Sequence, residues 1–172
     1  MKKALVALIV ALVFVPIGQG GAAIHQTPGL PLHGVLAPGV SLAGVHIGDT
    51  TAKVKSVWGK NYKLCPDCKG IYWYFIYTHG EPLGAAVKFS KAGRVVAVFT
   101  LGAPTGWRTS EGLGMGEQID KVLSLYGQVG WHACIGYGAM SMRNRTTVTS
   151  IYTTGAAVYG FALTAPAEPV CQ

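Results

Sequence analysis

Two stretches of the chain match each other and decide the predicted fold: GVHIGDTTAKVKSVWG at residues 44–59 and GLGMGEQIDKVLSLYG at residues 112–127. Three glycines, a lysine, a valine and a serine are identical at a constant shift of 68 residues. A second match, between residues 93–101 and 155–163, has a shift of 62. Internal repeats set the architecture before any local assignment does. We therefore predict one copy at residues 40–103 and a second at 104–172, which ends in a C-terminal tail.

Each copy is predicted to begin with a short helix, at residues 50–58 and 117–126. Apolar residues recur at helical spacing and predict a buried stripe in each helix: Val54, Val57 and Trp58, then Val122, Leu125 and Tyr126. Gly59 and Gly127 stand where a helix favours a left-handed C-terminal residue. The remainder of each copy is rich in strand-forming residues, with predicted strands at 71–77, 83–89, 94–101, 136–142, 147–153 and 158–163. The predicted fold class is therefore α+β: two tandem copies of a helical element followed by a three- to four-stranded antiparallel meander, packed together or sharing one sheet.

The repeated element resembles the SmpA/OmlA-like superfamily, which includes outer-membrane assembly lipoproteins and β-lactamase inhibitory proteins. Those families carry the pattern Gly-Met-Thr-x-x-x-Val-x-x-x-x-Gly, which is matched here from Gly48 to Gly59 and from Gly116 to Gly127, although the Met-Thr pair is replaced in both. The tandem arrangement is most similar to the inhibitory proteins, which present a concave sheet to a partner enzyme. The resemblance therefore implies a structural unit and, as one alternative, a secreted enzyme inhibitor.

The N-terminus predicts export. Lys2 and Lys3 precede an apolar run at residues 4–15, and small residues follow at 21–23, which is the pattern of a secretory signal peptide. The apolar run is shorter than the ~20 residues that span a bilayer. We predict a signal peptide at residues 1–23, contact with the membrane only before its cleavage, and a mature protein that is secreted or periplasmic. Residues 24–39 contain three prolines and are expected to form an extended or mobile leader.

The net charge is modest. The chain has 14 basic and 7 acidic residues, so loss of the two N-terminal lysines leaves 12 basic residues and a net charge of +5. The densest basic stretch contains Lys53, Lys55, Lys60, Lys63 and Lys69, which is typical of a solvated face and compatible with an anionic envelope polymer. The compartment and the absence of a binding motif exclude nucleic acid as the expected partner.

Four cysteines in an exported chain predict a disulfide framework. Cys65 and Cys134 lie six and seven residues after the glycines that end the predicted helices, so they occupy equivalent positions. Each should close its own copy, which gives the pairs Cys65–Cys68 and Cys134–Cys171. The second pair is expected to fasten the C-terminal tail to its sheet.

The sequence Cys65-Pro-Asp-Cys68 also has the spacing of thiol–disulfide oxidoreductases, whose reactive cysteine begins a helix. Here the pair follows a helix end and precedes a predicted strand, which favours a structural disulfide and leaves a redox protein as an alternative. The ligand spacing of a zinc site is missing, since there is one Cys-x-x-Cys pair and the histidines are isolated. We predict no metal, no cofactor and no catalytic residues.

Aromatic residues crowd one predicted strand, at Tyr72, Trp73, Tyr74, Phe75 and Tyr77. Alternation along a strand sends Tyr72 and Tyr74 to one face and the others to the opposite face. One face should join the core and the other is a candidate partner surface, with burial of both faces as the alternative. The predicted binding residues are Tyr72, Trp73, Tyr74 and Tyr77. The predicted function is an exported, non-catalytic interaction or structural domain, whose partner is an unknown protein or envelope polymer.

Overall fold

The computed structural model describes residues 29–76 and 84–172. The predicted signal peptide, the first part of the predicted leader and Tyr77 lie outside these residues. The two helices are α1 (Thr51–Trp58) and α2 (Ile119–Tyr126). Within the described residues, neither helix is long and apolar enough to cross a membrane.

The strands form two sheets of very different size. The smaller sheet has three strands in the order β2-β1-β7, with bounds β1 (Val35–Ala37), β2 (Ser41–Leu42) and β7 (Arg108–Thr109). The larger sheet has eight antiparallel strands in the order β3-β4-β5-β6-β11-β10-β9-β8. Its bounds are β3 (Lys63–Leu64), β4 (Ile71–Tyr74), β5 (Gly84–Phe89), β6 (Val95–Leu101), β8 (Gly130–Ala133), β9 (Gly138–Arg143), β10 (Val148–Thr154) and β11 (Ala157–Thr164).

The predicted α+β class was wrong, because the protein is mostly β. The described residues contain two eight-residue helices against eleven strands. Strands β6 and β11 pair antiparallel in the middle of the large sheet, with Phe161 opposite Thr100 and Leu163 opposite Val98. The two predicted meanders are thus merged into one eight-stranded sheet. They merge because β6 and β11 would each be an unpaired edge strand if the meanders stood apart, and pairing satisfies the backbone N–H and C=O groups of both strands.

Local sequence explains where the helices begin and end. In α1, the hydroxyl oxygen of Thr50 accepts a hydrogen bond from the backbone N–H of Lys53, which satisfies one of the free donors of the first turn. Gly59 and Gly127 follow the two helices with φ values of 84° and 68°. These values fall in the left-handed region that glycine adopts without steric cost.

The large sheet has two differently covered faces. We call the side that carries both helices and the small sheet the helix face. Its core includes Val54 and Trp58 from α1, Val122 from α2 and Phe161 from β11. We call the other side the tail face, where a second cluster contains Ala86, Phe99, Tyr152 and Ala162. Alternation along β5 sends Ala85 and Val87 to the helix-face cluster and Ala86 to the tail-face cluster.

The described part of the predicted leader is integrated into the fold. Leu36 of β1 is completely buried in the helix-face core. The Gly34 Cα lies so close to the Trp107 ring that a β-carbon there would come within 2.5 Å of it. Gly39 donates its backbone N–H to the hydroxyl oxygen of Thr149 at 2.8 Å. From Gly34 onward these residues pack against the rest of the chain.

Candidate functional site

The aromatic strand β4 turns Trp73 into the helix-face core. The Trp73 ring is stacked on Tyr62, with centroids 4.0 Å apart and planes 8° apart, and it contacts Phe89 at 4.6 Å. Only 6% of Trp73 is exposed. This member of the predicted binding set is therefore a core residue, because the strand alternation directs it toward α1.

Tyr72 and Tyr74 lie on the tail face, side by side and half-buried. Their ring centroids are 6.1 Å apart, with 19° between the planes. Tyr72 also meets Phe99 edge-on at 6.5 Å. The predicted separation of β4 into a buried and a partly exposed face thus appears at these residues, whereas the predicted Tyr77 lies outside the described residues.

Lysines approach the aromatic rings from both faces of the sheet. The Lys55 ammonium of α1 lies 5.1 Å from the Trp73 ring centroid and 5.9 Å from that of Tyr62. The Lys88 ammonium of β5 lies 5.4 Å from the Tyr72 ring centroid. Both are within the reach of cation–π attraction. Because Lys63 pairs with Tyr74 between β3 and β4, a third lysine stands at the same end of the sheet.

We define the basic aromatic edge as Lys55, Tyr62, Lys63, Tyr72 and Tyr74. A cavity of about 300 Å³ opens within it, lined by Asn61, Tyr62, Lys63, Tyr74, Phe75 and Ile76. The lining combines aromatic rings, a carboxamide and an ammonium group. Such a set offers stacking surfaces together with hydrogen-bond and charge contacts.

The Lys88 ammonium is fixed by an acidic partner from the C-terminal tail. Its distance to Glu168 Oε2 is 2.5 Å. Burial disfavours the charged ammonium, but the hydrogen bond to Glu168 and the nearby Tyr72 outweigh it and raise the pKa of Lys88. Lys88 therefore stays charged beside Tyr72.

The Cys65–Cys68 disulfide closes the short connection between β3 and β4. The Cys65 backbone N–H donates to the Tyr72 carbonyl at 3.4 Å, so the pair stands in a hairpin whose neighbours are strands. A redox cysteine is usually activated by a helix N-terminus or a cationic neighbour. The hairpin position of this pair supplies no helix N-terminus, and the disulfide closes the loop that leads into β4.

The Cys134–Cys171 disulfide fastens the C-terminal tail, residues 165–172, across the tail face. The Tyr152 hydroxyl donates to the Val170 carbonyl at 2.8 Å. The Tyr137 hydroxyl donates to the Gln172 carbonyl at 2.7 Å. The two disulfides join the pairs expected from the spacing. The tail also explains why Tyr152 is completely buried on a face that carries no helix.

A histidine–serine contact lies on β8 and β9, at the opposite end of the large sheet. His132 Nε2 is 2.8 Å from Ser141 Oγ. In a hydrolase a carboxylate would orient such a histidine. Three of the described carboxylates have other partners: Glu111 accepts from Tyr126, Glu117 from Lys121, and Glu168 from Lys88. Among the described residues, no group of three or more His, Cys, Asp or Glu side chains is arranged to hold a metal ion.

Sequence reasoning missed Tyr62, which belongs to the basic aromatic edge, and Lys88, which contacts Tyr72 of that edge. Tyr62 stands between Lys60 and Lys63, so its place in the densest basic stretch was a visible sign. Lys88 had no comparable sign, because its contacts with Tyr72 and Glu168 join residues that are far apart in the chain. Trp131, which the sequence did not place, is 59% exposed on β8.

The fold has a counterpart among solved structures, although no protein-family model and no curated protein matches the chain. It is similar to the 1.5 Å crystal structure of an extracellular protein containing a SCP domain from Bacillus anthracis str. Ames. The TM-score is 0.51 and the sequence identity is 11% over 70% of this chain. The matched part covers 44% of that protein. At this identity, the similarity extends to the fold alone.

Proposed function

We propose that the chain is an exported, non-catalytic interaction domain that binds its partner through the basic aromatic edge. One observation carries this proposal: Tyr72 and Tyr74 stay half-exposed side by side, while the central part of the same sheet face is covered by the tail. Tyrosine is favoured at binding surfaces because its ring is large and its hydroxyl forms hydrogen bonds.

Export is supported by three independent features. The N-terminal residues have the composition of a signal peptide. Both disulfides are of the kind that persists in an oxidising compartment. The structurally similar protein from Bacillus anthracis is described as extracellular. We therefore propose a secreted or periplasmic location.

Two alternatives suggested by the sequence rank below this function. A redox role would use Cys65 and Cys68, whose hairpin position lacks the activating helix terminus. An enzyme inhibitor, which the resemblance to the SmpA/OmlA-like superfamily implies, would be one special case of an interaction domain.

Co-sedimentation with the isolated envelope of the producing organism tests the proposal. The disulfide-bonded protein is compared with Tyr72→Ala, Tyr74→Ala and the double variant. Trp131→Ala is the matched control, because it removes an exposed aromatic ring at the opposite end of the sheet. Circular dichroism checks that each variant is folded.

We expect the double variant to bind at least about tenfold more weakly, since aromatic anchors at interfaces are worth ~1–2 kcal/mol or more each. The Trp131→Ala variant should bind like the unchanged protein. Equal binding by the tyrosine variants and the unchanged protein, or no binding by the unchanged protein, would overturn the proposal.

A further inference from the structure

The positive charge of the protein is concentrated beside the basic aromatic edge. Residues 51–76 contain five lysines and one aspartate, a net charge of +4 in a chain whose predicted mature form has +5. The lysines are Lys53, Lys55, Lys60, Lys63 and Lys69. Such a concentration attracts a ligand that carries repeated negative charges.

These lysines are not neutralised by carboxylates of the described residues. The ion pairs found there are His46–Asp49, Lys88–Glu168 and Lys121–Glu117. Lys53, Lys60, Lys63 and Lys69 are exposed, and Lys55 is half-buried over the stacked rings of Tyr62 and Trp73. The charged groups therefore face solvent, where an anionic ligand can reach them.

The folded chain brings this charge to a cavity that suits a sugar. Asn61, Tyr62, Lys63 and Tyr74 border one opening, so its lining residues include a carboxamide, a lysine and two tyrosines. Its volume of about 300 Å³ is at the lower end of the ~300–1,000 Å³ range of small-ligand sites. The cavity therefore fits one unit of a larger chain, with neighbouring units along the exposed lysines.

We propose that the basic aromatic edge binds a linear anionic polysaccharide, whose carboxylate or phosphate groups pair with the lysines while a sugar ring contacts Tyr62 and Tyr74. The inference rests on the proposed function and names the ligand class of the same site. A polymer fits better than a small anion because the lysines extend over α1, β3 and the hairpin loop that follows β3.

Isothermal titration with defined polymers tests the ligand class. The probes are polygalacturonate as a carboxylate glycan, phosphomannan as a phosphate glycan, dextran as a neutral glycan, poly-L-glutamate as an anionic polymer without sugar, and single-stranded DNA. The variants are Lys60→Gln, Lys63→Gln and their combination. Arg145→Gln is the matched control, because it removes an exposed positive charge from the loop between β9 and β10.

We expect one or both anionic glycans to bind more tightly than dextran, poly-L-glutamate and DNA, and the affinity to fall with added salt. Which glycan binds distinguishes carboxylate from phosphate recognition. Each lysine replacement should weaken binding about two- to fivefold, as for exposed ion pairs. Arg145→Gln should have no effect. Tyr74→Ala should weaken glycan binding without changing the salt dependence.

Three results would overturn the inference: equal binding of poly-L-glutamate or DNA, equal binding of dextran, or no binding of either anionic glycan. In the last case the envelope experiment separates the two proposals. If the tyrosine variants still lose envelope binding there, the interaction surface stands and only its ligand class is wrong. If they do not, the proposed function itself fails.

Discussion

The two matching 16-residue stretches fold into similar helices but present different surfaces. Trp58 of α1 is 1% exposed, and its indole N–H donates to the Ala43 carbonyl at 2.9 Å. Tyr126, at the corresponding position of α2, is half-buried, and its hydroxyl donates to Glu111 at 2.6 Å. A shared helix pattern therefore determines the backbone, while single side chains decide whether a helix anchors the core.

The same comparison separates the two ends of the large sheet. Lys55 of α1 corresponds to Leu123 of α2 in the matched stretches. Lys55 lies over an aromatic stack, whereas Leu123 is an exposed apolar side chain. The basic aromatic edge therefore has no counterpart at the α2 end, which locates the proposed binding surface beside α1.

The largest expected difference between the two helices comes from truncating their corresponding aromatic residues, Trp58 and Tyr126. Trp58→Ala should lower the free energy of unfolding by about 3–5 kcal/mol, because it leaves a cavity in a fully packed site. Tyr126→Ala should cost about 1–2 kcal/mol, because part of its ring is already in water. Urea unfolding measures both. Similar losses would mean that the two helices contribute alike to the core.

The two disulfides should differ in their contribution to stability. Removing Cys134–Cys171 by double serine substitution should cost about 4 kcal/mol, since it opens a loop with a sequence separation of 37. Removing Cys65–Cys68, with a separation of 3, should cost about 2 kcal/mol. Thermal unfolding of the two variants provides the measurement. The reverse order would show that the hairpin, and not the tail, limits stability.

The two lysine–glutamate pairs should respond differently to substitution. Lys88–Glu168 is partly buried and joins β5 to the tail, so Glu168→Gln should cost about 1–2 kcal/mol. Lys121–Glu117 is a local pair on the α2 surface, and Glu117→Gln should cost at most ~0.5 kcal/mol.

The pH dependence of the Lys88–Glu168 pair has a defined sign. Because the folded pKa of Lys88 is raised above 10.5, its contribution is fully present below that pH and is lost as the pH rises through the folded pKa. As the pH is raised from 8, the free energies of unfolding of the unchanged protein and of Glu168→Gln should therefore converge. Parallel curves would contradict the assignment.

The smallest expected difference concerns the helix starts. Thr50→Ala should cost about 1 kcal/mol, because it removes the side-chain cap of α1. Gln118, which precedes α2, makes no capping hydrogen bond with its side chain, so Gln118→Ala should be nearly neutral. Denaturant titration measures the free energy of unfolding of both variants. Equal losses for Thr50→Ala and Gln118→Ala would contradict a capping role that only Thr50 has.

Local sequence predicted the bounds of the helices and strands well, but it predicted less well which of their side chains are buried. The predicted helix stripe included Val54, Trp58 and Leu125. The first two are buried, but Leu125 is 38% exposed, because α2 buries little beyond Val122. The separation of Trp73 from Tyr72 and Tyr74 followed from strand alternation. The partners of those rings, Tyr62, Phe99 and Lys88, come from other strands and loops and could not be read from β4 itself.

By itself, the sequence determined the features that depend on neighbours in the chain: the helix-ending glycines, the alternation along β4 and the cysteine spacing. Only the tertiary structure decided that β6 pairs with β11 to make one sheet, and that the tail lies across Tyr152 while Tyr72 and Tyr74 stay partly open. The physical reason is that strand pairing and burial depend on which distant segments meet, and many pairings satisfy the same local pattern.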